Sequence, residues 1–164
     1  MTATVAGVLL AGGRAKRMGG GDKGLRTLGG RTIMDYIVER VRPQVAVLLI
    51  NANGDPGRFS GYGLPVIADV ISDESGGFAG PLAGVLTGME WAAANQPQCS
   101  WVATFACDAP FAPSDLVARF VAAVEEEGAA MACAASRGRA HPVFGLWPVA
   151  LAAELRQAMS EEDI

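Results

Sequence analysis

The stretch Val5-Ala-Gly-Val-Leu-Leu10-Ala-Gly-Gly-Arg14-Ala-Lys16-Arg17-Met-Gly-Gly-Gly-Asp22-Lys23-Gly24 joins an apolar run to a loop crowded with glycines and cations. An apolar run of this length, bounded by glycine, reads as a strand buried on both faces, which is the habit of a parallel sheet. Glycines placed directly after such a strand let backbone N–H groups turn inward and cradle phosphate oxygens. Arg14, Lys16, Arg17 and Lys23 bring the positive charge that three or four phosphate charges require. The loop therefore predicts an anionic, phosphate-bearing ligand at the end of the first strand.

Two better-known glycine motifs are excluded. The Walker A pattern needs Gly-Lys followed by Ser or Thr, and here Lys23 follows Asp22 and precedes Gly24. Gly19-x-Gly21-x-x-Gly24 matches GxGxxG as a string, but it begins nine residues beyond the strand and the next helix opens only near Thr32. A dinucleotide reductase is not indicated.

Strand and helix patterns alternate along the rest of the chain. Ile33, Tyr36, Ile37 and Val41 share one face of a helix closed by Pro43, and Val45–Ile50 is a second β-rich run ending at Asn51. Pro65–Ala68 is a short strand leading into Asp69. Beyond the Gly-rich loop Ser75–Gly80, Pro81 starts a helix that runs to about Asn95. Trp101–Ala106 is a strand leading into Cys107-Asp108. A helix opened by Pro113 or Ser114 runs to Glu127, with Gly128 as its cap. Met131–Ala135 and Val143–Trp147 bracket a polar turn, Ser136–His141, as a hairpin, and a last helix covers Ala150–Met159. The alternation predicts one α/β domain over residues 1–164. Its fold is a three-layer α/β/α arrangement with a Rossmann-like, mostly parallel sheet and a C-terminal hairpin or antiparallel strand. In such sheets ligands lie outside the carboxyl ends of the strands, and there the Gly13–Gly24 loop, Asn51, Asp69 and Asp108 all fall.

Composition narrows the class. The chain has 164 residues, 51% hydrophobic and 18% charged, and its 21 glycines are about 13% of the total against a usual ~7%. The net charge of −4 hides a gradient. Residues 1–42 hold eight Lys/Arg and three Asp/Glu, a net +5, while the remainder holds five and fourteen, a net −9. A basic segment in an acidic protein of pI near 5.0 points to a locally held anionic small ligand and away from nucleic acid. No apolar run is long enough to span a bilayer. The start lacks a signal-peptide pattern, and three cysteines without a CxxC pair argue against a disulfide framework. A soluble, cytoplasmic protein is expected.

Individual residues carry open alternatives. Asp108 suits a Mg²⁺ ligand or a helix cap, although Ser114 is better placed to cap. Asp69 is a second candidate carboxylate. Asn51 offers donor and acceptor to a base or ribose, and equally shapes the turn before Gly54. Gly80-Pro-Leu-Ala-Gly84 reads as an anion or ribose site, or as close packing of a helix on the sheet. His141 is the only histidine, so no triad or His/Cys metal site can be assembled. Arg137 and Arg139 beside it suit a second anionic substrate or a solvated hairpin tip. Cys107, in apolar company, reads as a small core residue.

Leu10-Ala-Gly-Gly-x-x-x-Arg17-Met-Gly-Gly-x-Asp22-Lys23 resembles the signature of nucleotidyltransferases with the nucleotide-diphospho-sugar transferase fold. Gly80-Pro-Leu-Ala-Gly84, Cys107-Asp-Ala-Pro110 and His141-Pro-Val-Phe-Gly-Leu-Trp147 resemble its molybdenum cofactor guanylyltransferase branch, from Val5 to about Leu155. The resemblance implies that Leu10, Ala11, Gly12 and Gly13 grip GTP and that Lys23 reaches its phosphates. It implies that Asn51 and Asp69 contact the nucleotide, that Asp108 binds Mg²⁺, and that Arg17 neutralises triphosphate charge. The His141-Pro142 region would face molybdopterin. The reaction implied is GMP transfer from Mg·GTP to the terminal phosphate of molybdopterin, with Lys23, Arg17 and Asp108 catalytic. Molybdoenzymes or cofactor-biosynthesis proteins are the implied protein partners, with no role for nucleic acid or membrane. A cytidylyltransferase or sugar-phosphate nucleotidyltransferase of the same fold shares the loop, and a non-catalytic cofactor carrier is the alternative from another class. Ala109 stands where the family usually has Thr. The family's pattern also continues beyond the point matched by Ile164, with a strand and helix bearing Asn-Thr-Pro.

Overall fold

A computed structural model describes residues 3–12, 22–71 and 80–161. Gly13, Arg14, Lys16 and Arg17 of the first loop, and the Ser75–Ala79 part of the second, lie outside the described residues. Six strands form one sheet, namely β1 (Val5–Leu10), β4 (Val47–Asn51), β5 (Val66–Ile67), β6 (Trp101–Ala106), β7 (Ala132–Ser136) and β8 (Arg139–Pro148). Their spatial order is β5-β4-β1-β6-β8-β7. The first four are mutually parallel, and β8 runs antiparallel to both β6 and β7. Two short strands, β2 (Thr27–Leu28) and β3 (Arg31–Thr32), make a separate exposed hairpin.

Helices cover both faces. On one side α1 (Ile33–Val41) and α3 (Leu116–Glu127) bury Met34, Ile37, Phe120 and Val124 against Leu9, Ile50 and Phe105. On the other, α2 (Pro81–Asn95) sets Val85, Met89 and Ala92 against Ala6, Val8, Leu49 and Val102, with Leu155 of α4 (Ala152–Glu161) alongside. The expected three-layer α/β/α architecture is what the chain adopts. No helix among the described residues is long and apolar enough to cross a membrane.

Local chemistry sets several boundaries. Thr32 and Asp35 form a reciprocal capping box at the start of α1. Gly128, at φ 61°, closes α3 in the left-handed conformation expected of it. The start of α3 differs from expectation, because its N-cap residue is Asp115, which makes no side-chain cap bond. Gln44, beyond the end of α1, takes over. Its Oε1 accepts the Val117 N–H at 2.9 Å while its Nε2 donates to the Pro113 carbonyl at 3.0 Å. A long-range amide thus satisfies a helix end that Ser114 was expected to satisfy.

The hairpin is longer, and its turn tighter, than the periodicity indicates. The turn is Arg137-Gly138 alone, both at positive φ (50° and 74°), as a type I′ hairpin turn requires. His141 therefore belongs to β8 and not to the turn. β7 pairs Cys133 with Gly145 but Ala134 with His141, so three residues of β8 bulge out where Pro142 has no N–H to give the ladder.

Candidate functional site

The strand order creates a crevice. The chain leaves β1 toward β4 and β5 on one side, then returns to β6 on the other side of β1. The reversal places a switch point between the carboxyl ends of β1 and β6, where open α/β sheets hold ligands. Leu10, Ala11 and Gly12 end one strand, and Cys107-Asp108 follows the other. Asn51 ends β4 and Asp69 follows β5 on the same edge. All four predicted strand-end features, as far as they are described, meet there.

Lys23 and Asp108 face one another across the crevice. Lys23 opens a short 3-10 turn, Lys23–Leu25, after the first loop, and its Nζ lies 3.9 Å from Asp108 Oδ2. Both side chains are over 40% exposed, so each is open to an incoming ligand. Their spacing is fixed by close packing. A Cβ on Gly24 would stand 3.3 Å from the Cys107 carbonyl oxygen, so Lys23-Gly24 lies flush on Cys107-Asp108.

Asn51 is 3% exposed, with its two amide hydrogens committed to protein. Its Nδ2 donates to the Ile67 carbonyl at 3.2 Å and to Asp69 Oδ1 at 2.9 Å. Asn53 completes the clamp, as its Nδ2 donates to Asp69 Oδ2 at 2.9 Å and its Oδ1 accepts the Asp69 N–H at 2.8 Å. The Asp69 carboxylate is thus gripped by one amide on each oxygen. Thr87 of α2 accepts the Val70 N–H at 3.1 Å and ties the next residue to the helix. At Gly84 the close-packing alternative holds, for a Cβ there would meet Asn51 Oδ1 at 2.4 Å.

Two residues of this edge, Asn53 and Arg58, are not singled out by the sequence. Arg58, in the 3-10 segment Pro56–Tyr62, donates through Nε to Asp22 Oδ2 at 2.7 Å and through Nη2 to the Asn53 carbonyl at 2.7 Å. It so connects the exit of the first loop to the Asn53–Asp69 clamp. The signal was present in Asn51-Ala-Asn53-Gly-Asp55-Pro-Gly-Arg58, a polar run placed directly after a buried strand. Its partner Asp22 lies 36 residues away in sequence, which no periodicity reveals.

The hairpin overhangs the same edge. Thr104 of β6 pairs with Gly145, and β8 extends from there past the end of β6, carrying Arg139 and His141. His141 Nε2 lies 2.7 Å from Ser136 Oγ. Neither Arg137 nor Arg139 forms an ion pair among the described residues.

The chemistry of the edge is electrostatic. Burial, reinforced by the Asp108 charge, pushes the Cys107 thiol from its ordinary value near 9 up to about 11. It stays protonated at neutral pH and supplies no nucleophile. Cys99 is also buried, and Cys133 is exposed. Iodoacetamide at pH 8 should therefore label one thiol of the native chain and three after denaturation, as counted by intact mass. The same raised pKa predicts that a stability contribution from Cys107, complete below pH 9, is lost between pH 9 and 11, where only the unfolded thiol ionises.

Among the described residues no three His, Cys, Asp or Glu side chains gather into a metal cage. Asp108 nevertheless offers an open carboxylate, since Lys23 at 3.9 Å stands beyond hydrogen-bond distance. A single hard oxygen donor facing a lysine at this edge has the chemistry to hold a divalent cation that completes its shell with anionic ligands and water.

Comparison with known proteins agrees with this arrangement. The model of the MobA-like NTP transferase domain matches residues 7–164. A molybdenum cofactor guanylyltransferase of Bradyrhizobium sp. (strain ORS 278) is 51% identical over 163 residues, covering 99% of this chain and 75% of that protein. A molybdopterin-guanine dinucleotide biosynthesis protein A from Archaeoglobus fulgidus superposes with a TM-score of 0.70 at 19% identity, covering 96% of this chain and 74% of that one. The 4-diphosphocytidyl-2C-methyl-D-erythritol synthase of Anaerococcus prevotii shares the fold with a TM-score of 0.65 at 12% identity, covering 98% of this chain and 77% of that one. A mostly parallel sheet whose carboxyl edge presents Lys23 opposite Asp108, together with a family model spanning nearly the whole sequence, places the chain in the MobA-like NTP transferase family of nucleotidyltransferases.

Proposed function

We propose that the chain transfers GMP from GTP to the terminal phosphate of molybdopterin, with or without its molybdenum, and releases pyrophosphate. One observation carries the choice of substrates: a relative 51% identical over nearly the full chain is a molybdenum cofactor guanylyltransferase. A phosphate oxygen of molybdopterin attacks the α-phosphorus of GTP, the bond to the β-phosphate bridging oxygen breaks, and that oxygen leaves on pyrophosphate with its electron pair. The nucleophile is already an anion, so no Ser, Cys or His is needed to activate it. Two polyanions must instead be aligned and their repulsion offset.

The residues of the edge divide that work. Leu10, Ala11, Gly12 and Gly13 lie along the nucleotide, Lys23 and Arg17 meet the triphosphate, and Asp69 reaches the nucleoside. Asn51, with its donors turned into the clamp, holds Asp69 in place. Asp108 would hold Mg²⁺, which when bound supplies further neutralisation of the triphosphate. Arg137 and Arg139, on the arm beyond the bulge, provide charge for the second anionic substrate. Residues 1–164 act as one nucleotidyltransferase domain. The three free thiols suit a reducing compartment such as the cytoplasm.

The test is pyrophosphate release with Mg²⁺ and molybdopterin, comparing GTP, CTP, ATP and UTP. Turnover restricted to GTP is expected. Turnover restricted to CTP would overturn the guanine assignment and make the chain a cytidylyltransferase. Tight GTP binding without pyrophosphate would overturn transfer in favour of a carrier.

A further inference from the structure

We propose that Arg58 is a positioning residue that keeps Lys23 available to the triphosphate by holding the carboxylate of Asp22 away from it. The proposal rests on the reading of Lys23 as the phosphate-binding lysine and adds to it the device that keeps this lysine unquenched.

Asp22 directly precedes Lys23, and a carboxylate next to a phosphate-binding ammonium is a liability. It competes with the substrate for the cation and repels the phosphates themselves. Arg58 occupies it. The guanidinium Nε donates to Asp22 Oδ2 at 2.7 Å, a charge-assisted bond, and both side chains are only about a quarter exposed. Lys23, by contrast, is 42% exposed, with its Nζ turned toward Asp108.

Arg58 is itself rigidly held. Its Nη1 donates to the Asp55 carbonyl at 2.5 Å and its Nη2 to the Asn53 carbonyl at 2.7 Å. Its guanidinium also lies over the ring of Phe59, 4.5 Å from the centroid, and Phe59 is buried in the core. A cation fixed on three sides by the segment that follows β4 therefore meets Asp22 at a set place. A lysine here would supply charge without the fork, and glutamine would approximate the length without charge.

The test measures GTP affinity by calorimetry in the presence of Mg²⁺, and pyrophosphate release in parallel, on the full chain. Arg58→Gln should raise the Kd for GTP about tenfold, equal to ~1.4 kcal/mol. The double variant Asp22→Asn/Arg58→Gln should bind within about threefold of the unaltered chain, because no orphan carboxylate remains beside Lys23. Arg58→Lys, which keeps the charge but loses the fork, should also stay within about threefold. The proposal is overturned if Arg58→Gln binds normally. It is equally overturned if the double variant and Arg58→Lys are as weak as Arg58→Gln, which would reduce Arg58 to shaping its loop. GTP binding without turnover in the unaltered chain would sink the transfer reading yet leave the affinities to decide the role of Arg58. No GTP binding at all would sink both.

Discussion

Asp108→Asn is expected to lower kcat/KM for GTP by about two to three orders of magnitude, the scale seen when one preorganised electrostatic group is removed from a reaction that depends on it. Asparagine preserves the shape and removes the charge. The side chain is 44% exposed and, among the described residues, its ionic neighbour is Lys23 at 3.9 Å, itself 42% exposed, so that pairing leaves no buried partner orphaned by the change. Thermal unfolding should accordingly stay within about 0.5 kcal/mol of the unaltered chain. The loss should be accompanied by a rise in the Mg²⁺ concentration needed for half-maximal rate, since a neutral amide oxygen is the weaker donor to a hard cation. Pyrophosphate release across a Mg²⁺ series checks both parts. A variant within about threefold of normal activity would remove Asp108 from the site.

Asp108 was identifiable in the sequence for the reason that makes it exposed now. A strand buried on both faces reads as an unbroken apolar run, and the polar residue directly after it must emerge at the sheet edge. That signal locates β1 and β6 to the residue, and Pro81 locates the start of α2. The same logic brings Lys23, Asn51, Asp69 and Asp108 to one edge from the sequence alone. Elements held together by distant side chains were not legible. The hairpin β2–β3 consists of two-residue strands, mostly exposed, which leave no alternation to detect. The α3 start depends on Gln44, some 70 residues away, and Asp22 depends on Arg58. Asn51 shows the limit most clearly. Its sequence context permits either a ligand contact or a turn, and nothing in that context reveals its burial or its bonds to Ile67 and Asp69.

Those bonds lead to the second large expected effect, at Gly84. By helix propensity alone, Gly84→Ala in the first turn of α2 should stabilise by up to about 1 kcal/mol. Packing reverses the sign. The new Cβ would lie 2.4 Å from Asn51 Oδ1, 2.6 Å from Leu10 Cδ2 and 3.1 Å from Asn51 Cγ. Leu10 can swing its terminal methyl aside, but Asn51 cannot move without losing its bonds to Ile67 and Asp69. Those bonds are what places the Asp69 carboxylate, and a buried amide left without partners costs roughly 1–3 kcal/mol. Overpacking adds a similar amount, typically 1–3 kcal/mol. A net loss of about 2–4 kcal/mol is expected in urea unfolding, and the folded fraction should bind GTP more weakly because Asp69 is displaced. The double variant Asn51→Ala/Gly84→Ala separates the two causes. It removes the clash and the clamp together, so it should recover part of the lost stability while GTP affinity stays low. If affinity returns as well, the Asn51–Asp69 clamp does not position the nucleotide. If stability does not return, the neighbour that resists the new methyl is the Leu10 side chain at the end of β1.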